Sequence, residues 1–242
     1  MDAQDQSPAL RWQDTPLGAV PVAVRFGDPY FSVGGGLAET GHVFHAGNDL
    51  PARFSDGFAI AELGFGTGLN LLATLALWDR AGVAGRFRYT SFEAFPMTAA
   101  QTAAALAAFL DLADWATGLT AALAQGQTRF ALGAADVDLV IGDAGQTLPL
   151  WQGRADAWFL DGFSPACNPD MWTASLMAEV ANHTAPMGSF ATYSAAGNVR
   201  RGLQAAGFQV QRVAGYGRKR HMTRGRLPVA DPTAARPESG AE

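Results

Sequence analysis

The segment FAIAELGFGTGLN, residues 58–70, has the pattern of a strand, a tight turn and the start of a helix. An apolar run reaches Glu62, and an amphipathic stretch begins at Leu69. Between them stand Gly64, Gly66 and Gly68. Because glycine lacks a Cβ, such a turn lets a ligand lie against backbone amides at the positive end of the following helix. The segment therefore predicts a loop that binds a nucleotide-type cofactor.

The spacing of these glycines distinguishes two kinds of cofactor loop. A dinucleotide fingerprint, G-x-G-x-x-G, would need glycine at the position of Leu69. The sequence instead reads E-x-G-x-G-x-G, which resembles the first motif of class I S-adenosylmethionine (SAM) methyltransferases. The spacing favours SAM, and a nicotinamide-dependent oxidoreductase stays open as an alternative.

Composition indicates a globular α/β protein. The chain has 242 residues, of which 48% are hydrophobic and 16% are charged. The N-terminus lacks the features of a signal peptide, and no apolar run is long enough to span a membrane, so we expect a cytoplasmic protein. The single cysteine, Cys167, excludes an intrachain disulfide and a multi-cysteine zinc site. We expect one domain over residues 1–227, with an N-terminal extension to about residue 57, and a disordered tail at 228–242.

Several predicted strands reach an acidic residue. The first reaches Glu62, residues 87–92 stop at Glu93, residues 136–142 stop at Asp143, and residues 157–160 stop at Asp161. In an open parallel sheet, ligands bind outside the carboxyl ends of the strands, so we expect one crevice to collect these acids. Glu93, at the tip of the second strand, is the candidate ribose ligand, because a carboxylate can accept hydrogen bonds from both hydroxyl groups.

Local patterns predict the other elements. PVAVRF, residues 21–26, is a strand, and residues 28–44 form a loop over a pocket, with the adjacent aromatic residues Tyr30 and Phe31 buried. Helices are expected from Pro96 to about Leu110 and from Pro169 onward. The apolar stripe of the second helix, expected in the core, is formed by Trp172, Leu176 and Val180.

The histidines show no metal-binding pattern. His42 and His45 lie three residues apart on a predicted strand and should therefore face opposite sides. No H-E-x-x-H motif occurs, and we interpret all four histidines as structural or surface residues.

Basic residues are concentrated near the C-terminal end. No acidic residue lies between Glu179 and Asp231, although the formal net charge of the chain is −5. The interval contains Arg200, Arg201, Arg212, Arg218, Lys219, Arg220, Arg224 and Arg226. We therefore expect one part of the surface to be basic, with GYGRKR leading into a last edge strand.

Five segments together resemble one family. They are YFSVGGGLAETGHVF, ELGFGTGLN, SFEAFP, DAWFLDGFSPACNPDMW and GYGRKR. They are similar to the methyltransferase domain of the bifunctional tRNA 5-methylaminomethyl-2-thiouridine biosynthesis protein, over roughly residues 20–226. The resemblance implies a class I, Rossmann-like α/β fold, with helices on both faces of a mostly parallel sheet. It also implies methyl transfer from SAM to the aminomethyl nitrogen of the wobble uridine in the tRNA anticodon.

The resemblance also implies roles for individual residues. The cofactor site would contain Glu62, Gly64, Phe65, Gly66, Thr67, Gly68, Asn70, Glu93, Asp143 and Ala144, and no metal. The catalytic residue would be Asp161, which could hydrogen-bond the amine, orient its lone pair and take its proton. The wobble base would stack on Phe163 or Tyr30, near Phe31. Candidate RNA contacts are Arg200, Arg201, Arg218, Lys219 and Arg220.

The chain also departs from the family. Members are often fused to a C-terminal FAD-dependent oxidase, and this sequence stops before such a domain, so we expect no FAD in this sequence. Two alternatives stay open: a stand-alone methyltransferase with a separate oxidase as a partner, or a truncated form of a longer protein. The family pattern has lysine at the position of Cys167 and an aromatic residue at that of Asn198. Alternatives are a SAM methyltransferase for a small molecule or a protein, and a non-catalytic RNA-binding module.

Overall fold

A mixed sheet of eight strands forms the centre of this computed structural model, which describes residues 7–16, 18–32 and 35–229. The strands are β1 (Leu10–Thr15), β2 (Gly18–Ala23), β3 (Ala59–Leu63), β4 (Phe87–Glu93), β5 (Arg129–Leu132), β6 (Ala135–Ile141), β7 (Ala155–Leu160), β8 (Thr184–Thr192), β9 (Gln209–Ala214) and β10 (His221–Arg226). The order across the sheet is β5-β6-β4-β3-β7-β8-β10-β9.

The helices connect the central strands. The α-helices are α1 (Gly36–Thr40), α2 (Leu69–Ala81), α3 (Ala99–Leu106), α4 (Ala113–Ala124), α5 (Ala144–Thr147), α6 (Ala174–Asn182) and α7 (Gly197–Ala205). Strands β6, β4, β3, β7 and β8 are parallel, whereas β5 and β10 pair antiparallel with β6 and β8. This architecture confirms the predicted α/β class with a mostly parallel sheet.

The central strands bury both of their faces. In β7, Phe159 packs in an apolar cluster with α2, while its neighbours Trp158 and Leu160 pack in a second cluster with α6 and α7. Successive side chains of a strand point to opposite faces, so a strand between two helical layers has to be apolar throughout. The uninterrupted run AWFL follows from this position, and it is buried up to the C-terminal end of β7, where Asp161 follows.

The N-terminal prediction is partly wrong. Residues before the predicted strand form β1, which pairs with β2 in a separate antiparallel sheet, and β2 spans Gly18–Ala23 where the strand was predicted over residues 21–26. Most of β1 is exposed to solvent, and the apolar–polar alternation of its first four residues, LRWQ, ends at Asp14, so the sequence signal for a strand is short.

The predicted loop at residues 28–44 is helical from Gly36 onward, which is a second correction. After α1 comes a π-helical turn, Gly41–His45, and then a short 3₁₀ helix, Ala46–Asn48. A Cβ on Gly36 would lie 2.9 Å from the Leu69 side chain, so this glycine allows close packing. Glycine is a poor helix former, so the local sequence does not predict this helix, which tertiary contacts stabilise.

The two histidines of this segment lie in the π-helical turn, not on opposite faces of a strand as predicted. His45 is buried and its Nε2 lies 3.1 Å from Thr74 Oγ1, while His42 Nε2 lies 3.1 Å from the Ala214 carbonyl oxygen. Among the residues that the structure describes, no group of His, Cys, Asp and Glu is arranged to hold a metal ion.

Two further helix boundaries differ from the predictions. Helix α3 starts after Thr98, whose hydroxyl accepts a hydrogen bond from Gln101 N, and it ends at Leu106 instead of Leu110. Residues Pro169–Trp172 form a separate 3₁₀ turn, and Thr173 caps α6. The predicted core stripe is confirmed, because Trp172, Leu176 and Val180 are all buried.

The last strand is not at the edge of the sheet. β10 inserts between β8 and β9, which leaves β9 at the edge and corrects the prediction. The residues GRKR, 217–220, belong to the turn that joins β9 to β10. Most of the predicted disordered tail, residues 230–242, lies outside the described residues. Across the described ranges, no helix combines the length and apolar character needed to cross a bilayer.

Candidate active site

A cavity of about 640 Å³ opens at the carboxyl ends of β3, β4 and β7. Its walls come from the turn after β3, the tips of β4 and β7, and the segment that leads into α1. This is the edge at which ligands bind in open parallel sheets, and the volume lies within the usual range for small-ligand pockets.

Two glycines of the turn shape the cavity wall. Gly64 and Gly66 have φ angles of 86° and 54°, and both line the cavity. A Cβ on Gly64 would lie 3.1 Å from the Gly162 Cα, and one on Gly66 would lie 3.1 Å from the Tyr30 ring. The turn therefore needs glycine both for its conformation and for the close approach of neighbouring chain.

The third glycine of the motif has a different position from the one predicted. Gly68 lies outside the cavity wall, and a Cβ there would lie 2.7 Å from the Leu119 side chain and 2.9 Å from the Phe65 ring. It allows the start of α2 to pack against the core. Phe65, Thr67 and Asn70 do line the cavity, as the resemblance implied for the cofactor site.

Glu93 connects the tip of β4 to the glycine turn. Its Oε2 accepts a hydrogen bond from Gly66 N at 2.9 Å, and its Oε1 accepts one from Phe95 N at 2.8 Å. Burial raises the pKa of the carboxyl group, and these backbone N–H donors act in the opposite direction. The carboxylate lines the cavity and has lone pairs left for hydroxyl donors of a ligand.

Asp143 lies at the end of β6 and caps α5. Its Oδ1 accepts a hydrogen bond from Gly145 N at 2.8 Å, and the side chain is exposed. Both Asp143 and the buried Ala144 line the cavity. This corner of the cavity is therefore more open to solvent than the wall formed by Glu93.

Asp161 lies at the end of β7 and lines the same cavity. Its Oδ1 accepts a hydrogen bond from Gly162 N, and its Oδ2 accepts one from Asn70 Nδ2, both at 2.8 Å. Burial raises the pKa of the Asp161 carboxyl to about 6, although both donors favour the charged form. The group is thus ionised at neutral pH and still within reach of protonation.

Glu62 does not line the cavity, contrary to the prediction of four acids in one crevice. Its side chain is fully buried next to α2, where Oε1 accepts from Asn70 Nδ2 at 2.8 Å and Oε2 accepts from Ser91 Oγ at 2.7 Å. Burial raises the pKa of Glu62 to about 8. It is the fourth residue of the five-residue strand β3, and the three other acids, each at or just beyond the end of its strand, do reach the cavity.

The raised pKa of Glu62 makes stability dependent on pH. The folded chain holds the Glu62 proton more tightly than the unfolded chain, so this stabilisation is present at low pH and is lost as the pH rises toward 8. We expect Glu62→Gln to flatten the fall in the free energy of unfolding between pH ~6.5 and ~8, by at most about 1.4 kcal/mol per pH unit for one proton.

Urea unfolding at several pH values measures this effect. The matched control is Asp79→Asn, an exposed acid at the end of α2 remote from the cavity, which should keep the wild-type slope. If Glu62→Gln and the wild type showed the same slope, Glu62 would be ionised in the folded protein.

Aromatic residues form another wall of the cavity. The Phe163 ring stacks on Phe26 with 4.6 Å between centroids, and Tyr30 meets Phe163 edge-on at 5.0 Å. Phe31 also lines the cavity. Phe26 and Arg25, whose guanidinium lies 4.6 Å from the Phe95 ring centroid, were missed by sequence reasoning. Both belong to the strand predicted over residues 21–26, but β2 ends at Ala23, so they lie in the turn that follows it, and no sequence pattern marks this turn as part of the cavity.

Lys219 is held at the cavity by neighbouring side chains. Its Nζ lies 2.8 Å from Glu39 Oε1 and 3.8 Å from the centroid of the Tyr193 ring. The Tyr193 hydroxyl in turn donates to the Gly162 carbonyl oxygen at 2.7 Å. The sequence analysis grouped Lys219 with the arginines next to it and did not select Tyr193. The contact between Lys219 and Tyr193 depends on the turn between β9 and β10, which a local pattern does not show.

The arginines of the predicted basic surface include two groups, one paired with an acidic residue and one formed by the candidate RNA contacts. Arg224 and Arg226 pair with Asp49 at 3.2 and 2.7 Å, which reduces their local charge. The remaining candidate RNA contacts lie outside the cavity wall. They are the exposed Arg201, Arg218 and Arg220 and the half-buried Arg200.

Comparisons with known proteins agree with one another. The family described as "S-adenosyl-L-methionine-dependent methyltransferase" matches residues 111–228. The tRNA 5-methylaminomethyl-2-thiouridine biosynthesis bifunctional protein MnmC of Chromobacterium violaceum is 44% identical over 95% of this chain, and that of Pseudomonas aeruginosa is 45% identical over 96%. The chain spans 37% of the length of each of these relatives.

One solved structure supports the fold. The crystal structure of MNMC2 from Aquifex aeolicus is 24% identical, with a TM-score of 0.73, and the match covers 93% of this chain and 72% of that one. At this identity the match shows a shared fold.

Proposed function

The chain belongs to the S-adenosyl-L-methionine-dependent methyltransferases, as a homologue of the methyltransferase part of the bifunctional MnmC proteins, and from this premise we propose that it methylates tRNA. The acceptor is the aminomethyl nitrogen of 5-aminomethyl-(2-thio)uridine at the wobble position. The observation that carries the proposal is the cavity itself, in which the Asp161 carboxylate and the Glu93 carboxylate lie on the same wall of strand ends.

The residues of the cavity fit SAM. Gly64 and Gly66 line the cavity without a Cβ, so the backbone of the turn itself faces the space that the methionine part of SAM would fill. Glu93 offers a carboxylate to the ribose hydroxyls, and Asp143 with Ala144 would lie beside the adenine. Bound SAM supplies a methyl group on a positively charged sulfonium sulfur.

Asp161 acts on the acceptor amine. Its carboxylate accepts a hydrogen bond from an N–H of the neutral amine and so orients the nitrogen lone pair. As the N–C bond forms, the methyl–sulfur bond of SAM would break and the neutral thioether would leave, while positive charge develops on the nitrogen next to this carboxylate, which then takes the proton directly or through water. A pKa of about 6 lets Asp161 be ionised for the first step and protonated in the second.

The aromatic wall suits a base that is turned out of the anticodon loop. Phe163 is held by Phe26 and Tyr30, and its backbone oxygen accepts a hydrogen bond from Trp172 Nε1 at 2.9 Å. Proteins recognise unpaired RNA bases by stacking them on such fixed aromatic rings. We assign the wobble uracil to Phe163 or Tyr30, with Phe31 nearby.

The exposed arginines supply the electrostatic part of tRNA binding. Arg218 and Arg220 lie in the turn between β9 and β10, next to Lys219 on the cavity wall. Phosphates of the anticodon stem would meet this turn while the wobble base enters the cavity. The reaction would take place in the cytoplasm, and an FAD-dependent oxidase activity would supply the amine by removing a carboxymethyl group.

Arg218→Ala is expected to weaken tRNA binding and to lower the salt slope of log Kd by about one, the value for one lost phosphate contact. Fluorescence anisotropy with labelled tRNA at several salt concentrations measures both quantities. The control is Arg80→Ala, at the end of α2 that points away from the cavity. An unchanged slope in Arg218→Ala would remove Arg218 from the RNA surface.

Calorimetric titration tests the cofactor class separately. SAM should bind in the micromolar range typical of enzyme cofactors, and NAD should give no heat of binding. Binding of NAD in place of SAM would favour the oxidoreductase alternative and contradict the proposal.

A further inference from the structure

The side chain of Asn70 bridges two carboxylates. Its Nδ2 lies 2.8 Å from Glu62 Oε1 and 2.8 Å from Asp161 Oδ2. Its Oδ1 accepts a hydrogen bond from Thr40 Oγ1 at 2.7 Å. The amide thus links β3, the tip of β7 and α1 at one point beneath the cavity.

The orientation of this amide follows from its partners. The Thr40 hydroxyl donates to Oδ1, and the ionised Asp161 carboxylate can only accept, so the NH₂ group faces Asp161 and, with its other hydrogen, Oε1 of Glu62. The opposite orientation would place the amide oxygen against the Asp161 carboxylate, which has no proton to donate when it is ionised. Both hydrogens of the Asn70 amide are therefore already used in hydrogen bonds within the described part of the chain, one to Glu62 and one to Asp161.

These two hydrogen bonds argue against the role of cofactor ligand that the resemblance implied for Asn70. To donate to a ligand, Asn70 would have to release Glu62 or Asp161, which would leave a buried acceptor without its donor. Glu62 is fully buried and also held by Ser91, so it anchors the amide from below. Asn70 and Asp161 both line the cavity, and the hydrogen bond joins their side chains there.

We propose that Asn70 is a positioning residue, which acts through Asp161 by fixing the plane of its carboxylate with Glu62 as the anchor. The proposal rests on the methyltransferase function and deepens it. Gly162 N donates to Oδ1 of Asp161, but Gly162 is the next residue in the chain, so this donor moves together with Asp161. The hydrogen bond from Asn70 joins Oδ2 of Asp161 to a different element, α2, and so fixes the position at which the carboxylate meets the amine.

Asn70→Ala tests the proposal in the full chain. We expect kcat for methyl transfer to fall about 100-fold, as for a misplaced catalytic group, while the Kd for SAM in calorimetry stays at the wild-type value. In the Asp161→Ala background, Asn70→Ala should cause no further loss of kcat, because the two residues act as one unit. Thr40→Val, which removes only the bond to Oδ1, should lose less activity than Asn70→Ala.

A measurement that does not depend on the substrate separates this proposal from the proposed function. Carbon-13 NMR titration should show a higher pKa for Asp161 in Asn70→Ala than in the wild type, because a donor to the charged form is lost. This shift is expected even if the wild type fails to methylate tRNA.

Three results would overturn the positioning role. They are an unchanged kcat in Asn70→Ala, a weaker SAM Kd with kcat unchanged at saturating SAM, and additive losses in the double variant. The second result would return Asn70 to the cofactor site. If Asn70→Ala does not fold, Asn70→Ser, which keeps one donor, takes its place with the same expected directions and a smaller loss.

Discussion

Asp161→Ala should lower kcat for methyl transfer to 5-aminomethyluridine tRNA by about 1,000-fold, within the range measured for loss of a positioned acid–base group. The reason is geometric as well as chemical. Asp161 is fixed by Gly162 N and Asn70 Nδ2 at 2.8 Å, so its carboxylate is oriented before the substrate arrives. The variant loses both the orientation of the amine and the acceptor of its proton.

The cofactor separates this loss from a general defect. Asp161→Ala should bind SAM with the wild-type Kd in calorimetry, because the ribose and the methionine part are assigned to Glu93 and the glycine turn. Asp79→Ala serves as the matched control, since Asp79 lies at the end of α2 remote from the cavity. Turnover in Asp161→Ala close to that of the wild type would remove Asp161 from the reaction.

Glu93→Ala should weaken SAM binding by about 100-fold, with a much smaller effect on kcat at saturating SAM. The expectation follows from the loss of hydrogen bonds to a charged group, each worth about 1.5–3 kcal/mol, and tenfold in Kd corresponds to about 1.4 kcal/mol. The variant also releases Gly66 N and Phe95 N, whose acceptor is Glu93. Circular dichroism therefore has to show that the fold is retained.

Glu93→Gln is the conservative comparison for this effect. It keeps one oxygen acceptor and the side-chain volume, so its Kd should lie between those of the wild type and Glu93→Ala. A Kd for SAM in Glu93→Ala equal to that of the wild type would mean that the ribose binds elsewhere.

Much of the site could be predicted because it depends on the ends of buried strands. A strand such as β7 between two helical layers is apolar until it reaches the edge of the sheet, so the first acid after the run marks that edge. Asp161 and Glu93 were found in this way, and both line the cavity. The glycine turn was visible because its backbone conformation excludes other residues.

Other parts of the site depend on tertiary contacts that a local pattern does not contain. Glu62 has the same sequence signal as the acids at the strand ends, but it precedes the end of β3 by one residue and points into the protein. The role of Asn70 depends on acids eight and 91 residues away along the chain. Tyr193 approaches Lys219 only because β10 inserts between β8 and β9.

The most direct test of the account is transfer of labelled methyl groups from SAM to tRNA that carries 5-aminomethyl-2-thiouridine, followed by mass spectrometry of the nucleosides. We expect the label in a single product, the 5-methylaminomethyl nucleoside of the wobble position, and no label in tRNA that lacks the aminomethyl group. No incorporation by the folded, SAM-binding protein, or label at another nucleoside, would contradict the proposed function.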